Sequence, residues 1–277
     1  MSYPAALNLV ARPAPATGAA TVILVHGSLD RGESFRRVMR RLTELGVVFY
    51  DRRGYQGSRA GGVVDLHGHI DDLLGIAAEA RASGGGGPVV AVGHSLGGDV
   101  VLGAALADPR AFGAVGAYEP PMPWLGYRRE GATGSGGGNG WRPIAGDPAE
   151  EAERFFRRMV SPEAWARLTD AGRAERRADG PALVADLRSM RGEGPPFDVA
   201  QLSVPAVFGR GGAGTSPHHR RNVQWLGEHV PSAVVCDIAA AHHGAHLSHP
   251  DHFAAMTRLV VERAGDASDS STASPRV

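Results

Sequence analysis

Five consecutive residues, Gly93, His94, Ser95, Leu96 and Gly97, fit the pattern GxSxG between a predicted strand over 89–92 and a predicted helix running to Ala107. A serine on a sharp strand-to-helix turn has its hydroxyl thrust out of the backbone, and small residues two positions to either side let the chain bend that tightly. The helix start sets the Leu96 N–H and the positive end of a dipole beside that hydroxyl, where a developing oxyanion could be held. The chemistry suggested is nucleophilic attack on an acyl carbon. A hydroxyl at its ordinary pKa is a poor nucleophile, so an imidazole must take its proton and later return it to the leaving group. The chain has twelve histidines, five of them between His242 and His252, and composition alone does not choose among them.

The elements needed to position such groups are legible as strand and helix alternation. Leu7 to Ala11 reads as an edge strand and Thr21 to Val25 as a continuous apolar strand ending at His26 and Gly27. Unalternated apolar runs suit strands covered on both faces. Phe35, Val38, Met39, Leu42 and Leu45 recur at helical spacing, Val47 to Tyr50 forms the next strand, and Asp65 to about Arg81 reads as an amphipathic helix. After the serine turn come the strand Ala114 to Tyr118, a strand Val204 to Phe208, a helix near 220–228, the strand Ala233 to Ile238, and a last helix from Pro250 to Arg263. This order predicts a mostly parallel α/β sheet with helices on both faces. Between Pro120 and Pro196 the alternation stops, giving Gly-rich sequence at 131–140 and helical pieces around Phe155, Trp165 and Leu187. The expected organisation is a core of residues 1–121 and 196–264, an inserted lid lobe over 122–195, and a disordered tail over 265–277.

With the GxSxG turn and this alternation, the sequence resembles the α/β-hydrolase fold family over nearly the whole chain outside the lid and tail. His26, Gly27, Ser28 resembles the family's HG turn, which implies that the Ser28 N–H is the second oxyanion donor. Asp51, Arg52, Arg53, Gly54, Tyr55 is similar to a loop that braces the site, so Asp51 and Arg52 are read as structural. The segment 241–253 looks like the family's histidine loop. Registering His249 and Pro250 against the last helix assigns the base to His243, with His242 and His246 as fallbacks. The sequence departs from the family where most relatives carry an Asp after the strand 204–208: this chain has no carboxylate in 209–220, and Thr215 falls about where the Asp belongs. The best substitute is Glu119, at the carboxyl end of the preceding strand, where active-site groups of open sheets gather. Some lipases and dehalogenases are similar in using that position. Asp237 is the weaker candidate.

The resemblance implies a serine hydrolase, carboxylesterase-like, that cleaves an ester-type bond through an acyl-enzyme. Met122, Trp124 and Leu125, with Phe155, Phe156 and Trp165, are expected either to face a small hydrophobic substrate from the lid or to pack on one another as the lid's own core. Thioester, lactone or carbon–carbon cleavage stays open, as does a non-catalytic ligand-binding protein on the same fold. His67, Gly68, His69, Ile70, Asp71, Asp72 imitates a dinuclear zinc signature, but on a helix His67 and Asp71 share a face while His69 points elsewhere. No metal or organic cofactor is expected.

The 277 residues are 43% hydrophobic and 21% charged, with 29 basic residues, all arginine, against 29 acidic ones. That balance offers no basic field for nucleic acid or anionic lipid. Cys236 has no partner for an internal disulfide, the first residues lack the charged start and apolar run of a secretory signal, and the apolar stretches are too short to span a membrane. The expected setting is cytoplasmic, with a small-molecule substrate as partner and an open oligomeric state.

Overall fold

The computed structural model describes residues 7–83, 85–125, 144, 146–191, 194–212 and 214–272, with side chains to residue 266. The seven-stranded sheet follows from the apolar runs: β1 (Leu9–Arg12), β2 (Thr21–Val25), β3 (Gly46–Tyr50), β4 (Val89–His94), β5 (Ala114–Tyr118), β6 (Ala206–Gly211) and β7 (Ala233–Ile238). Their spatial order is β1-β3-β2-β4-β5-β6-β7. Only β1, on β3, pairs antiparallel; the other neighbours are parallel. All residues of β2, β3, β4 and β5 are buried, as runs covered on both faces require.

The helices are α1 (Arg36–Met39), α2 (Leu66–Ser83), α3 (Leu96–Ala107), α4 (Pro148–Met159), α5 (Pro162–Arg167), α6 (Asp170–Ala178), α7 (Gly180–Ser189), α8 (Pro217–His229), α9 (Ala245–Ser248) and α10 (Pro250–Thr272). One face of the sheet packs with α2, α3 and α8 in a core that includes Ile23, Val48, Ile70, Leu73, Val101 and Leu226. The other face packs with α1 and α10 through Leu24, Val38, Leu42, Phe49, Phe253 and Val260. The chain from 32 to 45 is a short 3-10 turn followed by α1 rather than one long helix, yet Phe35, Val38, Met39, Leu42 and Leu45 are all buried as their spacing required. The last helix continues to Thr272, past the expected end at Arg263 and through the Gly265 where the tail was expected to begin, and 273–277 lie outside the described residues. One glycine costs a helix about 1 kcal/mol, too little to end it when no proline follows until Pro275.

Between β5 and β6 in sequence lie α4 to α7. They form a third apolar cluster, Ala152, Phe156, Trp165, Leu183, Leu187 and Met190, closed against Leu29 and Leu96. Each of α4, α5 and α6 starts at a side-chain cap, Asp147, Ser161 and Thr169, that accepts a backbone N–H of the first turn. The Gly-rich stretch 131–140 lies outside the described residues. Among the described residues no helix is long and apolar enough to cross a membrane.

Candidate active site

Ser95 stands between β4 and α3 with φ 53° and ψ −130°, a conformation that costs a side chain of its kind and persists only where the surroundings impose it. They do so by close approach. A Cβ on Gly93 would lie 2.1 Å from the Gly97 carbonyl oxygen, and one on Gly97 would lie 2.2 Å from that of Val25. The Ser95 N–H donates to the Tyr118 carbonyl (2.9 Å), which ties the turn to the end of β5. Leu96 is the first residue of α3, where a backbone N–H has no partner within the helix. The turn at Gly27 also touches the serine: a Cβ there would be 2.8 Å from Ser95 Cβ. Thus Ser28 follows a residue packed against the nucleophile candidate.

Glu119 is the next group. It leaves β5 with φ 48°, wholly buried, and its Oε2 accepts a hydrogen bond from His243 Nδ1 at 2.7 Å. Its Oε1 accepts from the Gly211 N–H and from Thr215 Oγ1, both at 2.8 Å. Burial pushes this carboxyl up, but the hydrogen bond and charge of His243, the Gly211 N–H and His219 outweigh it and hold the pKa at about 2. An ionised carboxylate only accepts, so the His243 proton sits on Nδ1 and the Nε2 lone pair is left for proton transfer.

The histidine loop is fastened to the serine turn through the residue before Ser95. His94 Nε2 donates to the His243 carbonyl oxygen (2.8 Å), and the two rings lie 4.7 Å apart. Burial, with His246 and His243 nearby, keeps the His94 pKa well below its ordinary value. Tyr118 Oη donates to the His242 carbonyl (2.9 Å), and His246 Nε2 donates to Asp30 Oδ2 (3.1 Å). The fallback histidines are therefore placed differently: His242 is exposed, and His246 is buried against Asp30. Asp237 is the half-exposed partner of Arg210, at 2.6 Å, and does not accept from His243. Two further imidazoles were not singled out by sequence reasoning, His94 and His219. His219 stacks on His243 (centroids 4.4 Å, planes 3° apart), with Nδ1 3.4 Å from Glu119 Oε2. Its signal was a histidine pair opening the helix after β6, at the same strand edge as Glu119.

On the other flank, Asp186 of α7 is a wholly buried carboxylate that accepts from Arg52 Nη1 and Nη2 (3.0 and 2.7 Å), Tyr55 Oη and Ser28 Oγ (2.8 Å). Arg52 also donates to the carbonyls of His26 and Gly27, fixing the HG turn, while Asp51 accepts from the Gly32 and Gly57 N–H groups. Both serve as braces, as their loop suggested. Asp186 had a readable signal: a carboxylate within the apolar stripe Leu183, Asp186, Leu187. His67 points to solvent, while His69 and Asp72 are buried, 3.4 Å from Asp186 and 2.7 Å from Arg53 respectively. The zinc-like run thus does not converge on one point. Met122 and Leu125 are buried in the core of the α2/α3 face; Trp124 is half-buried, edge-on to Phe197, and borders the cluster around Leu29 and Leu96.

The sequence model of the alpha/beta hydrolase family matches residues 22–256. Lipase LipV of Mycobacterium tuberculosis (strain ATCC 25618 / H37Rv) is 29% identical over 112 residues, 40% of this chain. That match spans about two fifths (41%) of the lipase's own length. Among solved structures, a thermophilic esterase from Thermogutta terrifontis, malate bound, is similar at TM-score 0.65 and 18% identity, covering 93% of each chain. A hydrolase from Pseudomonas aeruginosa PA01 gives a TM-score of 0.67 at 19% identity over 92% of this chain and 94% of the other. At those identities the likeness is one of fold. With the family's model spanning β2 from residue 22 through β7, the serine turn and the histidine loop, the chain belongs to the alpha/beta hydrolase family and is a hydrolase enzyme.

Proposed function

We propose that the protein is a serine hydrolase that cleaves an ester-type bond of a small, hydrophobic substrate through an acyl-enzyme. The observation that carries this reading is the buried Glu119 carboxylate hydrogen-bonded to His243 Nδ1, in a loop fastened to the residue before Ser95. Ser95 Oγ attacks the acyl carbon while His243 Nε2 takes its proton. The carbonyl oxygen becomes an oxyanion held by the N–H groups of Leu96 and Ser28. Collapse of the tetrahedral intermediate expels the alcohol, which receives the proton from His243, and water then releases the acyl group by the same steps in reverse. Glu119 fixes the productive tautomer and stabilises the imidazolium. Each oxyanion donor contributes about 3 kcal/mol to transition-state binding.

The helices α4 to α7 act as a cap over the serine turn. Leu29 and Leu96 are in the same apolar cluster as Phe156, Trp165 and Leu187, and Trp124 borders it, so an acyl or aryl group beside Ser95 meets hydrocarbon. The ester chemistry named for the Thermogutta protein and the lipase name of LipV accord with this. A fluorophosphonate probe should label the wild type and not Ser95→Ala, and p-nitrophenyl butyrate should turn over with higher kcat/KM than p-nitrophenyl acetate. Equal labelling of Ser95→Ala would remove the nucleophile from this reading. Preference for the shorter ester would remove the apolar pocket.

A further inference from the structure

Glu119 has more than one imidazole to serve. His219 Nδ1 lies 3.4 Å from the same Oε2 that accepts from His243 at 2.7 Å, and the two rings are stacked with planes 3° apart. The second ring is held from its own helix, since Ser216 Oγ is 3.0 Å from His219 Nδ1 and also accepts the His219 N–H. Glu119 is itself kept in place by Gly211 and Thr215, and the Asn222 amide donates to the carbonyls of Pro120 and Pro121 just beyond it. His219 is buried, and nothing in an ordinary Ser-His-acid arrangement requires a second imidazole at that place.

We propose that His219 is a positioning residue for the base: it covers one face of the His243 ring and draws on the same carboxylate oxygen, fixing the plane of the base and limiting how firmly that base holds a proton. The proposal rests on the serine-hydrolase reading. Two stacked rings 4.4 Å apart beside a single negative charge would repel one another strongly if both were cationic. The groups that set this balance come from every element around the pair. Glu119 faces both rings from the end of β5, and His218 lies 5.1 Å from His219 on α8. His94 of β4 lies 4.7 Å from His243, backed by His246 of α9 and by Asp30 after β2. His242 sits beside Gly214 in the facing loop. Arg210 and Asp237, farther along the β6/β7 edge, neutralise one another.

The test compares wild type with His219→Phe, which keeps a ring to stack but cannot touch Glu119 or carry charge, and with His219→Ala, which keeps neither. The readout is kcat and KM for p-nitrophenyl butyrate between pH 5 and 9. Both variants should carry the acid limb of kcat/KM to higher pH by about half a unit or more, because His243 has the carboxylate to itself. At the pH optimum His219→Ala should lose about tenfold in kcat with KM unchanged, as expected when a base is misplaced while substrate binding stays intact; His219→Phe should stay within about threefold. A limb in His219→Phe that superimposes on the wild type, or moves to lower pH, overturns the proposal. A second readout needs no turnover: the downfield NMR proton of the His243 Nδ1–H to Glu119 bond should weaken or shift in folded His219→Ala. If Ser95 proves unreactive to fluorophosphonate, the hydrolase reading fails separately, and an unchanged Nδ1–H signal in His219→Ala then overturns the positioning role.

Discussion

Two buried carboxylates flank the serine turn, and they are held in opposite ways. Glu119 leaves the end of a strand in a strained conformation and meets an imidazole, two neutral donors and a second imidazole. Asp186 comes from the helical segment between β5 and β6 and meets a guanidinium in a two-pronged pair, with two hydroxyls on the remaining lone pairs. The guanidinium never gives up its proton, so the second arrangement is permanently charged and can only brace. An imidazole gains and loses its charge within the ordinary pH range, so the first arrangement can take part in a reaction cycle. Under the proposed mechanism the difference in partner therefore separates a working carboxylate from a structural one, although both are fully buried.

Neutralising each in turn should break the molecule in different ways. Glu119→Gln should lower kcat about 10³- to 10⁴-fold, because an amide can present the wrong hydrogen-bonding group to Nδ1 and cannot stabilise the imidazolium. Its thermal midpoint should stay within a few degrees of wild type. Asp237→Asn, on the exposed pair with Arg210, should leave kcat within about twofold. The reverse outcome, activity lost with Asp237 and kept with Glu119→Gln, would move the acid to the other strand.

Asp186→Asn should instead cost about 3 to 5 kcal/mol of unfolding free energy by urea titration, since the Arg52 charge would be left buried without its counter-ion. Arg52 also holds the His26 and Gly27 carbonyls, so kcat should fall as well, but by less than in Glu119→Gln. A folded, fully stable and inactive Asp186→Asn would show that this carboxylate is part of the chemistry, and the distinction between the two flanks would be lost.

How much of this was readable beforehand depends on whether a group declares itself locally. The turn at Ser95 does, because strand, glycines and helix are adjacent in sequence, and so does the parallel sheet, whose strands are unbroken apolar runs. Glu119 was reachable through an absence: the loop after β6 carries no carboxylate, and the edge of β5 was the nearest alternative. Thr215, at the position where an acid was expected, turns out to donate to Glu119. His219 and Asp186 carry a local signal, a histidine pair opening a helix and a carboxylate in an apolar stripe, but what they and His94 meet was not legible, because those contacts run to residues 24, 134 and 149 positions away, at His243, Arg52 and His243. The end of α10 was misplaced because Ser, Asp and Ala give no firm stop without a proline.

The bracing flank also predicts a pH dependence of stability. His26 donates from Nδ1 to the Gly27 carbonyl and accepts the Arg52 N–H at Nε2, so both nitrogens are used by the neutral ring. Burial, and then the Arg52 charge, lower its pKa from 6.5 to about 4. Between those values the unfolded chain binds a proton that the folded chain refuses. Stability from this group is therefore complete above pH 6.5 and is lost as pH falls toward 4, by up to roughly 3 kcal/mol. Urea unfolding at pH 7 and pH 5 should show the loss, and His26→Asn should flatten the slope. A slope unchanged by that substitution would take the bracing flank out of the acid sensitivity.

The smallest test uses a matched pair of hydroxyl deletions, one on each carboxylate. Thr215→Val keeps the side chain's shape and removes the O–H that donates to Glu119 Oε1, leaving the Gly211 N–H on that oxygen. Tyr55→Phe removes the O–H that donates to Asp186, leaving the Arg52 pair and Ser28. Each hydrogen bond contributes about 1.5 to 3 kcal/mol, as expected for a charged acceptor. If the two carboxylates differ as their partners indicate, that sum appears in different measurements. Thr215→Val should lower kcat roughly five- to tenfold, because a less firmly held Glu119 orients His243 less well. Tyr55→Phe should lower unfolding free energy by about 1.5 to 3 kcal/mol with kcat kept within about twofold. Were Tyr55→Phe to cut kcat as deeply as Thr215→Val, the guanidinium-bound carboxylate would have to be counted among the groups that respond to the reaction.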